Sequence, residues 1–345
     1  MRKFILSFLT IFSVIPFVSA CDSDNFDFLE EFIIHSDTTI TSDTIFKNDT
    51  TIINGDTIIV TDTVINKDTI IKNDTTTLID KRTVVLDFTT LSSNNIKVEK
   101  AFNLEITSDG RFQGMAIYGD YMFQTHHAKN YIDVYDLKEE KLLFSIQSKR
   151  EEEIHCNNAD FSNCFYEEND PFPLLYLEHK GIYNKTSVFR IIKNDSIYTT
   201  EKIQTLCFSP CSSCITNNDN ENGFMYISYG LDGHSYTAKI YIPDFKTPEL
   251  NISLEKDSCL EVFDNLSGTK VGQDATIYKN KLFQLKGYSG EGEISIIDLI
   301  NHKLIYVLKF REFKMTGEPE GIAWYKDHLV VSTIGGQVYN VYFLE

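Results

Sequence analysis

One six-residue pattern returns three times and constrains the fold more than any other feature of the chain. Gln113-Gly114-Met115-Ala116-Ile117-Tyr118, Gln273-Asp274-Ala275-Thr276-Ile277-Tyr278 and Glu320-Gly321-Ile322-Ala323-Trp324-Tyr325 align position by position. After a short turn each leads into an apolar run: Tyr121-Met122-Phe123, Lys281-Leu282-Phe283 and His328-Leu329-Val330. A third run follows (Ile132–Leu137, Ile294–Leu299, Val338–Phe343), and twice a fourth (Leu142–Ile146, Leu304–Phe310). The third run closes on the same signature in two of the copies: Asp136-Leu137 before Lys141-Leu142, and Asp298-Leu299 before Lys303-Leu304. Repeated sets of four short strands predict an all-β protein built as a β-propeller, since a sandwich would not require the shared spacing. Two weaker units lie between. One has strands near Asn157–Phe161, Leu174–Glu178, Ser187–Ile192 and Ser196–Gln204. The other has an inner strand within Cys207–Asn217, then Phe224–Tyr229, Tyr236–Ile242 and Leu250–Leu254. Five blades over residues 84–345 are the expectation, with six as the alternative. The last blade lacks its outer strand, so Val84–Phe88 or Lys97–Ile106 is expected to supply it and close the ring, removing an open sheet edge.

The blades resemble three propeller groups: the five-bladed glutamine cyclotransferases, SMP-30-type lactonases and TolB-like repeats. Arg111-Phe112-Gln113-Gly114-Met115 is similar to the Phe-Thr-Gln-Gly-Leu start of the cyclotransferases, and Gly287–Leu304 to their Gly-rich loop, apolar strand and Asp-Leu. The resemblance covers single blades. That family lines its pocket with several Trp, whereas this chain has one, Trp324. Shared fold says little about activity.

Residues 1–20 read as a signal peptide, with Arg2 and Lys3 ahead of an apolar run from Phe4 to Val18 that is short for a membrane span. Val18-Ser19-Ala20-Cys21 resembles a bacterial lipobox, which implies cleavage before Cys21, lipidation of its thiol and a membrane anchor. Residues 21–36 form an acidic linker whose opening run, Asp22-Ser23-Asp24-Asn25-Phe26-Asp27, resembles the export signal of Bacteroidetes surface lipoproteins. The expected location is the outer membrane, surface-exposed, with the periplasmic side as the alternative.

Residues 37–80 repeat Asp-Thr at Asp37, Asp43, Asp49, Asp56, Asp62, Asp68 and Asp74, in steps of six apart from one of seven. An even period keeps each Asp on one face of an extended strand, and the β-branched residues between favour that conformation. The longer step falls at Asn54-Gly55, a hairpin signal, so the stalk is either a two-stranded ribbon or a single extended strand with a bulge. The repeat also resembles the O-glycosylation sequon of Bacteroidetes. That resemblance implies glycans on Thr38, Thr44, Thr50, Thr57, Thr63, Thr69 and Thr75.

Hydrophobic residues make up 42% of the chain and aromatics 13%, ample for a core, so global disorder is excluded. The formal charge of −18 argues against nucleic acid as a partner. Beyond Cys21 there are six cysteines, an even number that in an exported protein points to disulfides, with Cys156 and Cys164 the natural pair. Cys207, Cys211, Cys214 and Cys259 leave three pairings open. The Cys207-x3-Cys211-x2-Cys214 cluster could instead be a metal or redox site, since Cys-x-x-Cys spacing suits zinc, but no second such pair and no adjacent His supports it.

In a propeller the loops into the innermost strand and those between the second and third strands share one face. The first set supplies Gln113, Asn157, Asn158, Asp160, Gln273, Asp274, Glu318 and Glu320. The second supplies His126, His127, Lys129, His179, His234, Lys286 and Tyr288. Such convergence is the usual form of a propeller binding site, here for a glycan, peptide or partner protein, and nothing in it calls for a cofactor or metal. The alternative is an extracytoplasmic enzyme, a cyclotransferase, lactonase or glycan-cleaving enzyme, with Glu318 or Glu320 as general acid/base.

Overall fold

The computed structural model describes residues 50–53, 57–60, 88–105, 111–127, 131–148, 156–178, 184–265, 272–288 and 290–344. The expected signal peptide, Cys21 and most of the expected stalk lie outside them. The chain divides into two units, Met1–Arg82 and Thr83–Glu345. In the first, β1 (Thr50–Ile53) pairs antiparallel with β2 (Thr57–Val60), in a register running from Ile53 opposite Thr57 to Thr50 opposite Val60. The antiparallel pair brackets the position at which the step of seven falls.

The second unit is an all-β propeller that opens with β3 (Ile96–Asn103). Four-stranded antiparallel blades follow. The first contains β4 (Phe112–Tyr118), β5 (Tyr121–His126), β6 (Tyr131–Asp136) and β7 (Lys141–Gln147). The second contains β8 (Ala159–Phe161), β9 (Leu175–Glu178), β10 (Lys185–Asn194) and β11 (Ile197–Ser209). In the third, β12 (Cys214–Asp219), β13 (Phe224–Leu231) and β14 (His234–Tyr241) are completed by β16 (Glu261–Asp264), after β15 (Glu249–Ser253) has left the blade. The fourth contains β17 (Gly272–Tyr278), β18 (Lys281–Lys286), β19 (Glu293–Asp298) and β20 (Lys303–Lys309). The last is β21 (Pro319–Tyr325), β22 (His328–Thr333) and β23 (Gln337–Phe343), with β3 as its outer strand.

That final pairing is the expected closure. Ile96 stands opposite Phe343 and Asn103 opposite Gln337, so the Lys97–Ile106 alternative supplies the strand. Phe88 packs edge-on against Phe283, Trp324 and Phe343 beside it.

The repeated sequence signatures have local causes. Asp136 Oδ1 accepts the backbone N–H of Lys138 and Glu139 at 2.8 and 3.0 Å, and Asp298 Oδ1 those of Ile300 and Asn301 at 2.9 and 3.0 Å. Each Asp thereby folds the turn into its outer strand. Lys279 and Asn280 both take positive φ, as the tight turn between β17 and β18 requires. Middle strands such as β19 and β22 are buried along their whole length, because both faces meet a neighbouring blade. The outer strand β7 keeps an alternating, half-exposed pattern.

An apolar layer fills each junction. Phe123 and Ile132 meet Phe161 and Phe189; Tyr176 and Val188 meet Met225 and Ile227; Ile215 and Tyr226 meet Leu282 and Ile297. Phe283 and Ile296 meet Leu329 and Val341, and Val330 and Val338 meet Met115 and Tyr135, which carries the packing back to the first blade.

Two expectations need correction. Leu250–Leu254 does not form the outer strand of its own blade. Instead β15 pairs in parallel with β11 of the preceding blade, Thr205 opposite Glu249 through Ser209 opposite Ser253. The thirteen-residue β11 offers that edge, and Leu250 and Ile252 pack there on the apolar layer between the two blades. Nor does a disulfide join Cys156 to Cys164, and none forms among the described residues. The Cys156 thiol is buried in the first junction and donates to Asn158 O at 3.4 Å, whereas Cys164 donates to Asn163 Oδ1 at 3.4 Å on the loop beyond β8.

Candidate functional site

The first set of sequence-predicted residues does converge on the propeller axis, but there it is sealed. Gln113, Asn158 and Asp274 have no exposed surface, and Gln273 and Glu320 retain 2% each. Asp274 is the centre of the arrangement. Its Oδ2 accepts from Met115 N at 3.1 Å and Ile322 N at 3.0 Å; its Oδ1 accepts from Asn158 Nδ2 at 2.7 Å and Ala275 N at 2.8 Å. One carboxylate thus ties the first, second, fourth and last blades together. Burial pushes its pKa well above the ordinary carboxylate range, against the four N–H donors that pull it down.

Neighbouring bonds continue the pattern. Asn157 Nδ2 donates to Gln273 Oε1 at 3.0 Å, and Gln273 Nε2 to Gly287 O at 3.1 Å and Glu318 Oε1 at 3.5 Å. Asn217 Nδ2 reaches Ala275 O at 2.5 Å, linking the third blade to the fourth. Asp160 Oδ2 accepts from Asn218 N at 2.6 Å between the second and third, and burial pushes its pKa up to about 7. Two glycines allow the close approach. A Cβ on Gly114 would lie 2.7 Å from the backbone of Asn157, and one on Gly321 2.6 Å from Met115 Cβ. Of the candidate acid/base pair, Glu320 is enclosed and only Glu318 stays half-exposed.

The described histidines of the second set occupy separate environments. His126 is the last residue of β5 rather than a loop residue, and it is buried. Its Nε2 lies 2.8 Å from Asp133 Oδ2, while Ser145 Oγ donates to Asp133 Oδ1 at 2.5 Å. His127 is half-buried, with its backbone N–H on Arg111 O at 2.9 Å. His234 is exposed at the start of β14, next to Tyr236. Lys286 is buried at the end of β18, and Tyr288 beyond it is exposed. His179 and Lys129 lie outside the described residues.

A different place offers room. Between the third and fourth blades, at the ends carrying the β12–β13 and β17–β18 turns, a groove encloses about 290 Å³. Its walls are Asn222, Phe224, Tyr226, Lys239, Glu261, Asn280, Leu299, Ile300 and His302. Glu261 lies between two basic side chains, with Oε1 3.3 Å from Lys239 Nζ and Oε2 3.0 Å from His302 Nε2. Lys239 Nζ lies 4.2 Å over the Phe224 ring, and His302 stacks on Phe263 at 4.0 Å. Asn222 Nδ2 donates across the junction to Asn280 Oδ1 at 3.5 Å. Tyr241 and Ile300 beside it are 67% and 66% exposed, far more than apolar side chains usually are. The groove escapes a reading of the loops at the opposite mouth. The equivalent turn positions of Asn222 and Asn280 are the signal that could have found it. Among the described residues no three His, Cys, Asp or Glu side chains are placed to hold a metal ion.

No protein-family profile matches the chain, and no curated protein matches it by sequence. Solved structures do match in chain path. A Myxococcus xanthus glutaminyl cyclase is 10% identical with a TM-score of 0.45, over 72% of this chain and 97% of that one. The PQQ-bound aldose sugar dehydrogenase of Streptomyces coelicolor is 10% identical with a TM-score of 0.45, over 72% and 98%. The β-propeller domain of Cps50 (Swd1) from Myceliophteria thermophila is 8% identical with a TM-score of 0.42, over 72% and 100%. The chain is a β-propeller protein, and none of these likenesses assigns it an activity.

Proposed function

We propose that this chain is a lipid-anchored cell-surface protein whose five-bladed propeller is a binding module, with a glycan as the ligand class its groove fits best. The observation that carries the choice of binding over catalysis is the sealed axis. Of the two acid/base candidates Glu320 is enclosed and only Glu318 is half-exposed, and Asp274 beside them spends both oxygens on neighbouring blades. The groove offers what a sugar ring needs: aromatic surface at Phe224, amides at Asn222 and Asn280, and one carboxylate at Glu261. The stalk and the lipobox-like Cys21 support display above a membrane.

The test is a glycan array probed with the full chain and with Glu261→Gln. Binding by the wild type that falls at least tenfold in the variant supports the reading. Wild-type binding that survives Glu261→Gln but is lost in Glu318→Gln would move the site to the axis mouth and favour the enzyme alternative. A chain that ignores glycans but captures a peptide or protein through Tyr241 and Ile300 would keep the binding module and change its ligand.

A further inference from the structure

Three cysteines pack on one apolar layer where the second and third blades join. Cys214 opens β12 and is buried among Leu174, Tyr176, Leu206 and Phe208. Cys211 and Cys259 pack half-buried against the same apolar layer. Cys207 is outside it, its thiol 3.9 Å from Glu249 Oε1. Cys211 and Cys214 each shift the other's ionisation, and the Cys211 thiol donates to Phe208 O at 3.7 Å. Cys259 instead gives its S–H to Ser253 O at 3.5 Å. Only Ser212 and Ser213 separate Cys211 from Cys214.

We propose that Cys211 and Cys214 are a redox-active dithiol that closes to a disulfide, with Cys211 the thiol through which oxidants act. Cys211 has the access that Cys214 lacks. The neighbouring Cys214 side chain lowers the Cys211 pKa, whereas Cys211 and burial raise that of Cys214, so the reachable sulfur is the more readily ionised of the two. The oxidant is a disulfide, carried by a small molecule or a protein. The Cys211 thiolate attacks one of its sulfurs, forms a mixed disulfide and releases one thiol. Cys214, giving up its proton, then displaces the second thiol. One S–S bond forms in the protein as two S–H bonds are lost, and the oxidant takes up two electrons and two protons.

The experiment uses the full chain, incubated with oxidised glutathione, quenched in acid, alkylated with N-ethylmaleimide and mapped by mass spectrometry without reduction. The expected result is that Cys211 and Cys214 lose alkylation together, in a peptide lighter by two hydrogens. Dithiothreitol should reverse this and Cys259→Ser leave it unchanged. In Cys214→Ser, Cys211 should instead accumulate as a glutathione mixed disulfide. A wild-type chain in which Cys211 stays alkylated, or links to Cys259 or Cys207, overturns the assignment, and this readout needs no variant to fold.

Discussion

Replacing Asp274 separates a structural tie from a ligand contact. Asp274→Ala would strip the acceptor from four N–H groups, those of Met115, Ile322, Ala275 and the Asn158 amide. A buried donor left without a partner costs about 1–3 kcal/mol, so the four together cost about 4–12 kcal/mol. That is comparable to the whole net stability of a domain, about 5–15 kcal/mol, so this variant should not fold. Asp274→Asn is the informative change. It keeps the volume and one carbonyl oxygen, enough for Asn158 and Ala275, but turns an NH₂ towards Met115 N and Ile322 N. Two orphaned donors predict a loss of about 2–6 kcal/mol. The single Trp offers the assay, since Trp324 stacks on Tyr278 at 3.8 Å across the junction of the fourth and last blades. Its fluorescence during urea unfolding should report a lower midpoint in the variant. A midpoint equal to wild type, together with lost ligand binding, would refute the structural tie and make Asp274 a ligand contact.

Other expectations follow from the same interior and from the sequence. Gly114→Ala places a methyl against the Asn157 backbone and should cost about 1–3 kcal/mol by urea melting. Asp160 holds its proton more tightly when folded, up to about 7 against an ordinary 3.8. Its contribution should be full below about pH 4 and decline as pH rises towards 7, and Asp160→Asn should flatten that decline in pH-dependent melting. Cys21→Ser should move the protein from the membrane fraction to the soluble one, and continued membrane association would reject the lipid anchor. If the stalk carries glycans, the intact mass should exceed lipid plus polypeptide, and Thr→Ala at the seven sequon positions should remove the excess.

What could be read from the residues is the part of the fold that repeats. Inner strands buried between blades need an apolar run behind a polar start, and Asp136 and Asp298 must each fold a turn, so these leave matching traces in the chain. The excursion of β15 leaves none. Leu250-Asn251-Ile252-Ser253 alternates as any outer strand would, and its partner is chosen by the free edge of β11, which only the assembled blades create. The polar residues at the axis were legible in position but not in role. An amide or carboxylate at a strand start reads as a wet rim until the approach of Gly114 and Gly321 closes the space around it. His126 shows the same limit: one further residue of β5 takes it from a loop into a buried pair with Asp133.

The pairing of β3 with β23 also sets the order in which the molecule can be made. Ile96 finds Phe343 across almost the full length of the domain, one of the most distant contacts in the sequence. Non-local pairing of this kind is slow, because the chain entropy of closing so large a loop is lost before the contact is gained. During synthesis β3 appears first and has no sheet to join until the last strand is released. For that interval β3 and the growing blades expose unpaired backbone, the form most prone to pair with another copy. A chain secreted through a membrane would pass through that state outside the cell's folding machinery. Its yield should therefore depend on how quickly the two ends meet, more than on the stability of the ring once closed.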